Sequence, residues 1–362
     1  MAERPLVDVH HIGLGETGNE TWSRNIVRVL ESDGGPLVDY AATVAARGAL
    51  PEDRLHLVAG SSARRLALQL PVLLRRLRST AVLAQYTLPP TRVPGVVVVH
   101  DVSFVLPESR EWIPPATRAR LKASIGLSVR RARFVVVPTE YSREHVLQHY
   151  RVGPGKVLLA PLALDPDLAE GIAEGIARVP RSSRPANGPA RVLCVGTVVP
   201  RKNLPVVARA VQRLRAAGGD VVLRLVGPVR PPGEPDLAVM RDLLGDALQV
   251  VGAVTVEDLA EEYAAADVVA YPSFHEGFGL PLLEGMAAGV PVVSSNATCL
   301  PEVAGDAATL VDPHDVVGWQ TALAQALADP SHGVEAGRRR LGEFTWESTG
   351  GVVRRALDEA SC

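Results

Sequence analysis

The feature that most constrains this chain is one pattern laid down twice. Short runs rich in valine and leucine recur at 6–10, 55–59, 81–85, 96–100, 134–138 and 157–160, with helix-like stretches at 21–31, 63–77, 117–131 and 142–150. The runs are apolar throughout and do not alternate with polar residues. A strand reads that way when helices cover both faces of its sheet, as in a parallel α/β layer. Residues 171–190 (GIAEGIARVPRSSRPANGPA) break the pattern with glycine, proline, serine and arginine, which reads as a linker. The alternation then restarts, with apolar runs at 192–195, 221–226, 250–252, 268–271, 292–294 and 309–311.

The predicted organisation is therefore α/β, with two Rossmann-like domains facing a central cleft. The first spans 1–170, the linker 171–190 and the second 191–344; a helix-like segment at 345–362 has no strand partner and is expected to cross back to the first domain. A chain of 362 residues is long enough for each half to bury its own core. Ligands of such sheets sit beyond the carboxyl ends of the strands.

Composition narrows the function classes. Hydrophobic residues make up 47% and charged residues 22%, as in a soluble globular protein. A net charge of -2 removes any global argument for nucleic acid. Cys194, Cys299 and Cys362 are far apart and form no CxxC, so neither a disulfide framework nor a zinc site is suggested. The N-terminus carries Glu3, Arg4 and Asp8 with no apolar core to make it a signal peptide, and no apolar stretch approaches the ~18 residues that span a bilayer. The expected location is cytoplasmic. Residues 117–133 hold six cations and no acid, and Arg75, Arg76 and Arg78 add to them. That is either a solvated helix face or a surface drawn to anionic lipid or a lipid-diphosphate acceptor, which would place the protein peripherally on the inner face of the plasma membrane.

The chemistry concentrates in two segments. Residues 275–284 read His-Glu-Gly-Phe-Gly-Leu-Pro-Leu-Leu-Glu, after the strand at 268–271 and leading into an Ala/Gly-rich helix. Pro281 suits a first helical turn, the glycines admit close backbone approach, and free amides around Phe278–Leu280 would face an anion. Glu276 and Glu284 can then hold hydroxyls at two ends of one ligand. Residues 196–204 read Gly-Thr-Val-Val-Pro-Arg-Lys-Asn-Leu, directly after the strand at 192–195. Arg201 and Lys202 are placed there to meet negative charge developing on a leaving group. Lys202 is one of only three lysines among 38 basic residues, a chain that otherwise uses arginine.

These two segments together resemble the family 4 retaining glycosyltransferases of GT-B fold, most nearly bacterial polysaccharide and mannosyl-type transferases. The likeness is specific across roughly 190–315, where Glu276 and Glu284 form the family's E-x7-E pattern. The resemblance implies that Arg201 and Lys202 bind the donor diphosphate, that Glu276 contacts the transferred sugar and Glu284 the ribose, and that Gly277, Phe278, Gly279 and Leu280 line the phosphate and sugar. It implies further that His100, followed by Asp101, reaches the transferred sugar, that the loop bearing Gly15 faces the cleft, and that the loop of Val254 meets the base. Thr197 stands where many members carry another arginine. The implied activity is transfer of a sugar, with retention, from a nucleotide-diphosphate sugar to an acceptor glycan, lipid-linked glycan or small molecule. Donor binding is expected in the second domain and acceptor binding in the first, with no cofactor and no metal.

Two other readings stand beside it. A non-catalytic GT-B scaffold would bind a nucleotide without turning it over. An NAD-dependent oxidoreductase is suggested by Gly13-x-Gly15-x-x-Gly18, with Asp39 at the distance of a ribose ligand. Asp165-Pro166-Asp167 spells a metal-binding DxD but reads as turn chemistry. His10 and His11 lack a third ligand at metal spacing and read as core or cleft histidines.

Overall fold

The computed structural model describes residues 3–15, 17–32, 37–178 and 188–362. The chain divides into two compact units, Met1–Leu162 with Thr345–Cys362, and Ala163–Phe344.

The first unit runs β1 (Leu6–Asp8), α1 (Thr17–Glu31), β2 (Asp39–Ala42), β3 (Leu55–Leu57), α2 (Ser62–Arg64), a π-helical turn (Arg65–Gln69), α3 (Leu70–Leu77), β4 (Val82–Gln85), β5 (Gly95–Val98), α4 (Pro115–Arg131), β6 (Phe134–Val137), α5 (Glu140–Tyr150) and β7 (Val157–Leu159). Its seven strands form a parallel sheet in the order β3-β2-β1-β4-β5-β6-β7. Valines explain much of this sheet: Val96, Val97 and Val135 to Val137 are buried, as β-branched side chains are when helices cover both faces. The strand β2 has no such signature. Its sequence Asp-Tyr-Ala-Ala is nevertheless wholly buried, and the pairing of Leu6 with Asp39 ties it to β1.

The second unit runs α6 (Pro166–Arg178), β8 (Ala190–Val195), α7 (Leu204–Ala216), β9 (Val221–Val226), α8 (Glu234–Leu244), β10 (Leu248–Gly252), α9 (Val256–Ala265), β11 (Val268–Tyr271), α10 (Leu280–Ala287), β12 (Val292–Ser295), α11 (Leu300–Ala304), β13 (Thr309–Val311), α12 (Val316–Ala328) and α13 (Val334–Leu341). Its six strands are parallel in the order β10-β9-β8-β11-β12-β13. The chain builds outward from β8 to β10, then returns to start again at β11. Between β8 and β11 the direction of building reverses, and it is at such a reversal, beyond the carboxyl ends of the strands, that open α/β sheets take their ligands.

The helix α14 (Trp346–Ser361) belongs to the first unit and packs on α1. Thr349 donates to the Pro161 carbonyl and Arg354 to that of Val29. A Cβ on Gly350 would lie 2.1 Å from Val29 Cγ1, so only glycine admits this approach.

Residues 171–178, expected in the linker, are helical, as the second half of α6; residues 179–187 lie outside those described. The glycines that suggested a linker have another use. A Cβ on Gly171 would sit 2.9 Å from the Ala260 Cβ, and one on Gly175 2.9 Å from the Ala264 Cβ. Two glycines one turn apart thus face two alanines one turn apart, and α6 and α9 close on each other. In a linker or an exposed helix, Gly175→Ala would be neutral or stabilise by up to ~1 kcal/mol. Against Ala264 it should destabilise, and Gly175→Val should cost about 1–3 kcal/mol by overpacking, read as a lower urea midpoint.

Candidate active site

In the second unit the loops leaving β8 and β11 are laced together at the topological reversal. The Phe274 amide donates to the Arg201 carbonyl at 2.9 Å, and Asn203 Nδ2 donates to the carbonyls of Pro272 and Pro313 at 3.2 and 2.7 Å. Asn203 adopts φ +51°, a left-handed conformation that asparagine tolerates better than most residues. Gly196 turns the chain out of β8 at φ +135°, and a Cβ on the neighbouring Gly227 would fall 2.3 Å from the Gly196 carbonyl oxygen.

This lacing brings Arg201, Lys202 and Glu276 together. Glu276 Oε1 lies 2.9 Å from Arg201 Nη1 and 2.7 Å from Lys202 Nζ. Arg201 also donates to the His275 carbonyl. Lys202 Nζ donates to the Tyr271 hydroxyl at 2.8 Å and sits 4.7 Å from that ring's centre. Burial pushes the Glu276 carboxyl up, but Arg201 and Lys202 outweigh it and hold it well below the ordinary range. Burial likewise pulls the Lys202 ammonium down, against the charge of Glu276. The backbone around Glu276 is pinned as well: its amide donates to Thr298 Oγ1 at 3.2 Å, and Cys299 Sγ donates to the carbonyls of Glu276 and Phe278.

The second acid has different surroundings. Glu284 lies in α10 and accepts a hydrogen bond from the Tyr263 hydroxyl on α9. Burial lifts its carboxyl to about 7, opposed by that hydrogen bond and by Lys202, and assisted by Asp165. Between the two acids, Gly277, Phe278 and Gly279 are buried and Leu280 begins α10. Gly279 caps the helix at φ +105° with no capping side chain, and a Cβ there would meet Leu300 at 2.7 Å. In that first turn Pro281 has no N–H and the Leu282 amide donates to the Gly279 carbonyl at 3.0 Å, so the N–H available to an anion at the opening of α10 is that of Leu280. Thr197 follows Gly196 and is half-buried; Val254 lies on the loop after β10, two strands from β8 in the sheet.

The remaining predicted residues lie in the first unit. His100 follows β5, edge-on to Trp22 and Tyr86 at 5.5 and 5.6 Å. Its Nε2 is 2.8 Å from Gln85 Oε1. The amide of Gln85 is oriented by its own nitrogen, which donates to Ser23 Oγ at 2.7 Å and the Asn19 carbonyl at 3.3 Å. Gln85 Oε1 is thus the acceptor, His100 Nε2 carries the proton, and Nδ1 keeps the lone pair. Burial, then the charge of His11, pushes the imidazole down to about 3, so it is neutral at physiological pH. Asp101 turns away and accepts from the amide and hydroxyl of Ser103, both at 2.8 Å.

The glycine loop has a built-in anion. Glu20 accepts from the Gly13 and Gly15 amides, each at 2.8 Å, and pairs with Arg24 at 2.7 Å. Gly15 can offer a ligand its bare Cα but not its amide. The NAD reading also fails on Asp39. A ribose ligand belongs at the carboxyl end of β2, whereas Asp39 opens that strand opposite Leu6 and pairs with His56 at 2.9 Å. Asp165 accepts from the amides of Asp167 and Leu168 at 3.0 and 3.4 Å, which makes the DxD the start of α6. His10 is held by Asp8 at 3.0 Å and both histidines are buried.

Sequence reasoning did not single out Tyr263, Tyr271, Gln85, Thr298 or Cys299. Only Gln85 left a trace, a polar residue closing the apolar run Ala81-Val-Leu-Ala.

Residues 189–329 match the family described as Glycosyl transferases group 1. The O-antigen chain mannosyltransferase B of Escherichia coli is 34% identical over 267 residues, covering 70% of this chain and 67% of that protein. This chain belongs to the group 1 glycosyl transferases. The MMP alpha-(1->4)-mannosyltransferase of Mycolicibacterium hassiacum is 31% identical over 283 residues, 74% of this chain and 66% of its own. For the D-inositol 3-phosphate glycosyltransferase of Corynebacterium kroppenstedtii the figures are 30% over 279 residues, 71% and 60%. The matches thus span about two thirds or less of each relative's own length. Among solved structures, sucrose-phosphate synthase from Thermosynechococcus elongatus superposes with a TM-score of 0.77 at 22% identity, over 99% of this chain and all (100%) of that one. Anabaena HepE in complex with UDP-glucose gives 0.72 at 16% identity, over 99% and 100%. The fold of this group 1 glycosyl transferase is that of the GT-B enzymes, and the chain is an enzyme of the glycosyltransferase class. Among the described residues, no helix is long and apolar enough to cross a membrane.

Gln85→Leu should free the His100 tautomer and lower kcat/KM by about tenfold or more, with a far-UV spectrum like that of the parent. The Glu284 carboxyl is raised from 4.5 to about 7, so the unfolded chain gives up this proton first as pH rises. Stability should fall from pH 4.5 towards 7 and level off above it; Glu284→Gln should flatten that limb in urea titrations, and an unchanged limb would remove Glu284 as its source.

Proposed function

We propose that this glycosyltransferase is retaining and metal-independent, transferring a hexose from a nucleotide-diphosphate sugar to a hydroxyl of a glycan, lipid-linked glycan or small polyol. The observation that carries the proposal is the pair of cations, Arg201 and Lys202, converging on Glu276 at the reversal of the second sheet. We assign donor binding to this unit and acceptor binding to the first.

In the transfer, the bond from the anomeric carbon to the diphosphate oxygen breaks and a bond to the acceptor oxygen forms. The acceptor's proton passes to the departing phosphate, so the protein supplies no nucleophile. What it supplies is electrostatics. The leaving diphosphate gains charge as the bond breaks, and Arg201, Lys202 and the Leu280 amide opening α10 are fixed in place to meet it. Two protein cations do there what a divalent ion does elsewhere, which supports metal independence. Glu276, ionised throughout the physiological range, accepts hydroxyls of the sugar, and Glu284 those of the ribose. In the first unit, the lone pair on His100 Nδ1 is free to accept a hydrogen bond from a ligand hydroxyl.

The relatives bear on the partners. Two are named as mannosyltransferases and one as an inositol-phosphate glycosyltransferase, which favours a polyhydroxylated acceptor and a mannose-type donor. The Anabaena neighbour was solved with UDP-glucose, which keeps uridine among the candidate bases.

Incubation with UDP-, GDP-, dTDP- and ADP-sugars tests this directly. One donor should give free nucleoside diphosphate and an acceptor glycoside of retained configuration by NMR, equally fast in EDTA. Lys202→Ala should lower kcat about 10²–10³-fold. Binding without turnover would favour the non-catalytic scaffold; loss of activity in EDTA with recovery in Mn²⁺ would overturn metal independence.

A further inference from the structure

The first unit carries a surface that the transfer reaction does not use. Residues 54–100 contain seven arginines and no acid, and residues 112–139 contain six cations and no acid, although the chain has 40 acids in all. Arg54 and Arg65 are taken up by Glu31 and Asp8. Arg75, Arg76, Arg78, Arg92, Arg130, Arg131 and Arg133 are exposed, and among the described residues none pairs with a carboxylate.

The fold gathers these charges. A cavity of about 650 Å³ is lined by Arg75 from α3, Arg92 from the loop before β5 and Arg131 from the end of α4, with Pro71, Pro90 and Thr91 between them. Arg131 Nη2 donates to the Thr91 carbonyl at 2.6 Å, which holds the end of α4 against that loop.

Both helices repeat one arrangement. On α3, Val72 is followed at i+3 and i+4 by Arg75 and Arg76; on α4, Leu127 is followed at i+3 and i+4 by Arg130 and Arg131. Residues at those spacings share a helix face. Val72 is 64% exposed and Leu127 55%, with Leu68 at 63% one turn before Val72. Each face thus offers an apolar side chain beside two guanidinium groups.

We infer that this surface docks the protein on an anionic bilayer. Guanidinium groups bind lipid phosphates in bidentate fashion, and the cavity gives a headgroup three of them at once. Val72, Leu68 and Leu127 then enter the boundary between headgroups and acyl chains, removing exposed apolar surface from water. A free phosphate would use the arginines but leave the three apolar side chains in water, so the bilayer accounts for more of what is exposed. The inference is independent of the transfer reaction, because its readout is binding and not turnover.

Vesicle flotation at about 0.15 M salt tests it. The full chain should float with vesicles containing phosphatidylglycerol and stay behind with pure phosphatidylcholine. The Arg75→Glu, Arg76→Glu, Arg92→Glu triple variant should bind about tenfold or more weakly, and Val72→Ser with Leu127→Ser should weaken binding without altering the charge. All three replaced arginines are exposed, and thermal melting checks that each variant folds. Equal flotation with both vesicle types, or flotation unaffected by charge reversal, would overturn the inference. So would release by millimolar inorganic phosphate but not by chloride at the same ionic strength, which would make this a site for free phosphate.

Discussion

The site in the second unit depends on one buried carboxylate held between two cations. Glu276 is 8% exposed, and taking such a group out of water is costly unless opposite charge and hydrogen bonds replace the solvent. Arg201 and Lys202 provide that charge, and through Glu276 they are themselves kept ordered and charged. Removing Glu276 would leave two neighbouring cations without their counter-charge, typically at about 3–5 kcal/mol for a fully buried pair and less here, where Arg201 keeps a quarter of its side chain in water (25%), whereas removing one cation still leaves a one-to-one ion pair. The same arrangement suits catalysis. Cations fixed before the reaction need not reorganise as a diphosphate leaves, and a carboxylate held ionised can accept sugar hydroxyls at any physiological pH.

Topology makes the triad available. The loops after β8 and β11 become neighbours only because those strands pair in the middle of the sheet, some seventy residues apart in sequence; the Lys202–Glu276 contact spans 74. Charge and burial then separate the two acids chemically: Arg201 and Lys202 hold Glu276 ionised, while burial lifts Glu284 in spite of the hydrogen bond from Tyr263. Tyr271 meets Lys202, and Tyr263 meets Glu284, which feels Lys202 more weakly. Two carboxylates eight residues apart thus differ in charge state near neutrality, one a permanent anion and the other poised between acid and base.

Much of this was legible in the sequence where chemistry depends on residue type and spacing. Valine-rich runs marked most strands, and the Glu276–Glu284 string marked the site because glycines, a proline and two acids have few other reasons to stand in that order. What stayed hidden depends on direction and on packing partners. Gly171 and Gly175 read as linker because nothing in the local sequence shows that Ala260 and Ala264 lie opposite. The strand β2 lacks β-branched residues and is held by its neighbours. Gln85 fixes the protonation of His100 from the adjacent strand, a relation that exists only once β4 and β5 pair. Asp39 has the right spacing from the glycine loop for a dinucleotide, but it opens its strand instead of closing it.

The most direct measurement is a calorimetric titration of UDP, GDP, ADP and NAD into the parent chain and Lys202→Met, with and without EDTA. Methionine keeps the length and bulk of the lysine stem and removes its charge. If the Arg201–Lys202 pair is the diphosphate site, one nucleoside diphosphate binds the parent with or without EDTA and binds the variant about tenfold or more weakly, a difference of about 1.4 kcal/mol or more. Equal affinity for both proteins, or binding of NAD alone, would contradict it.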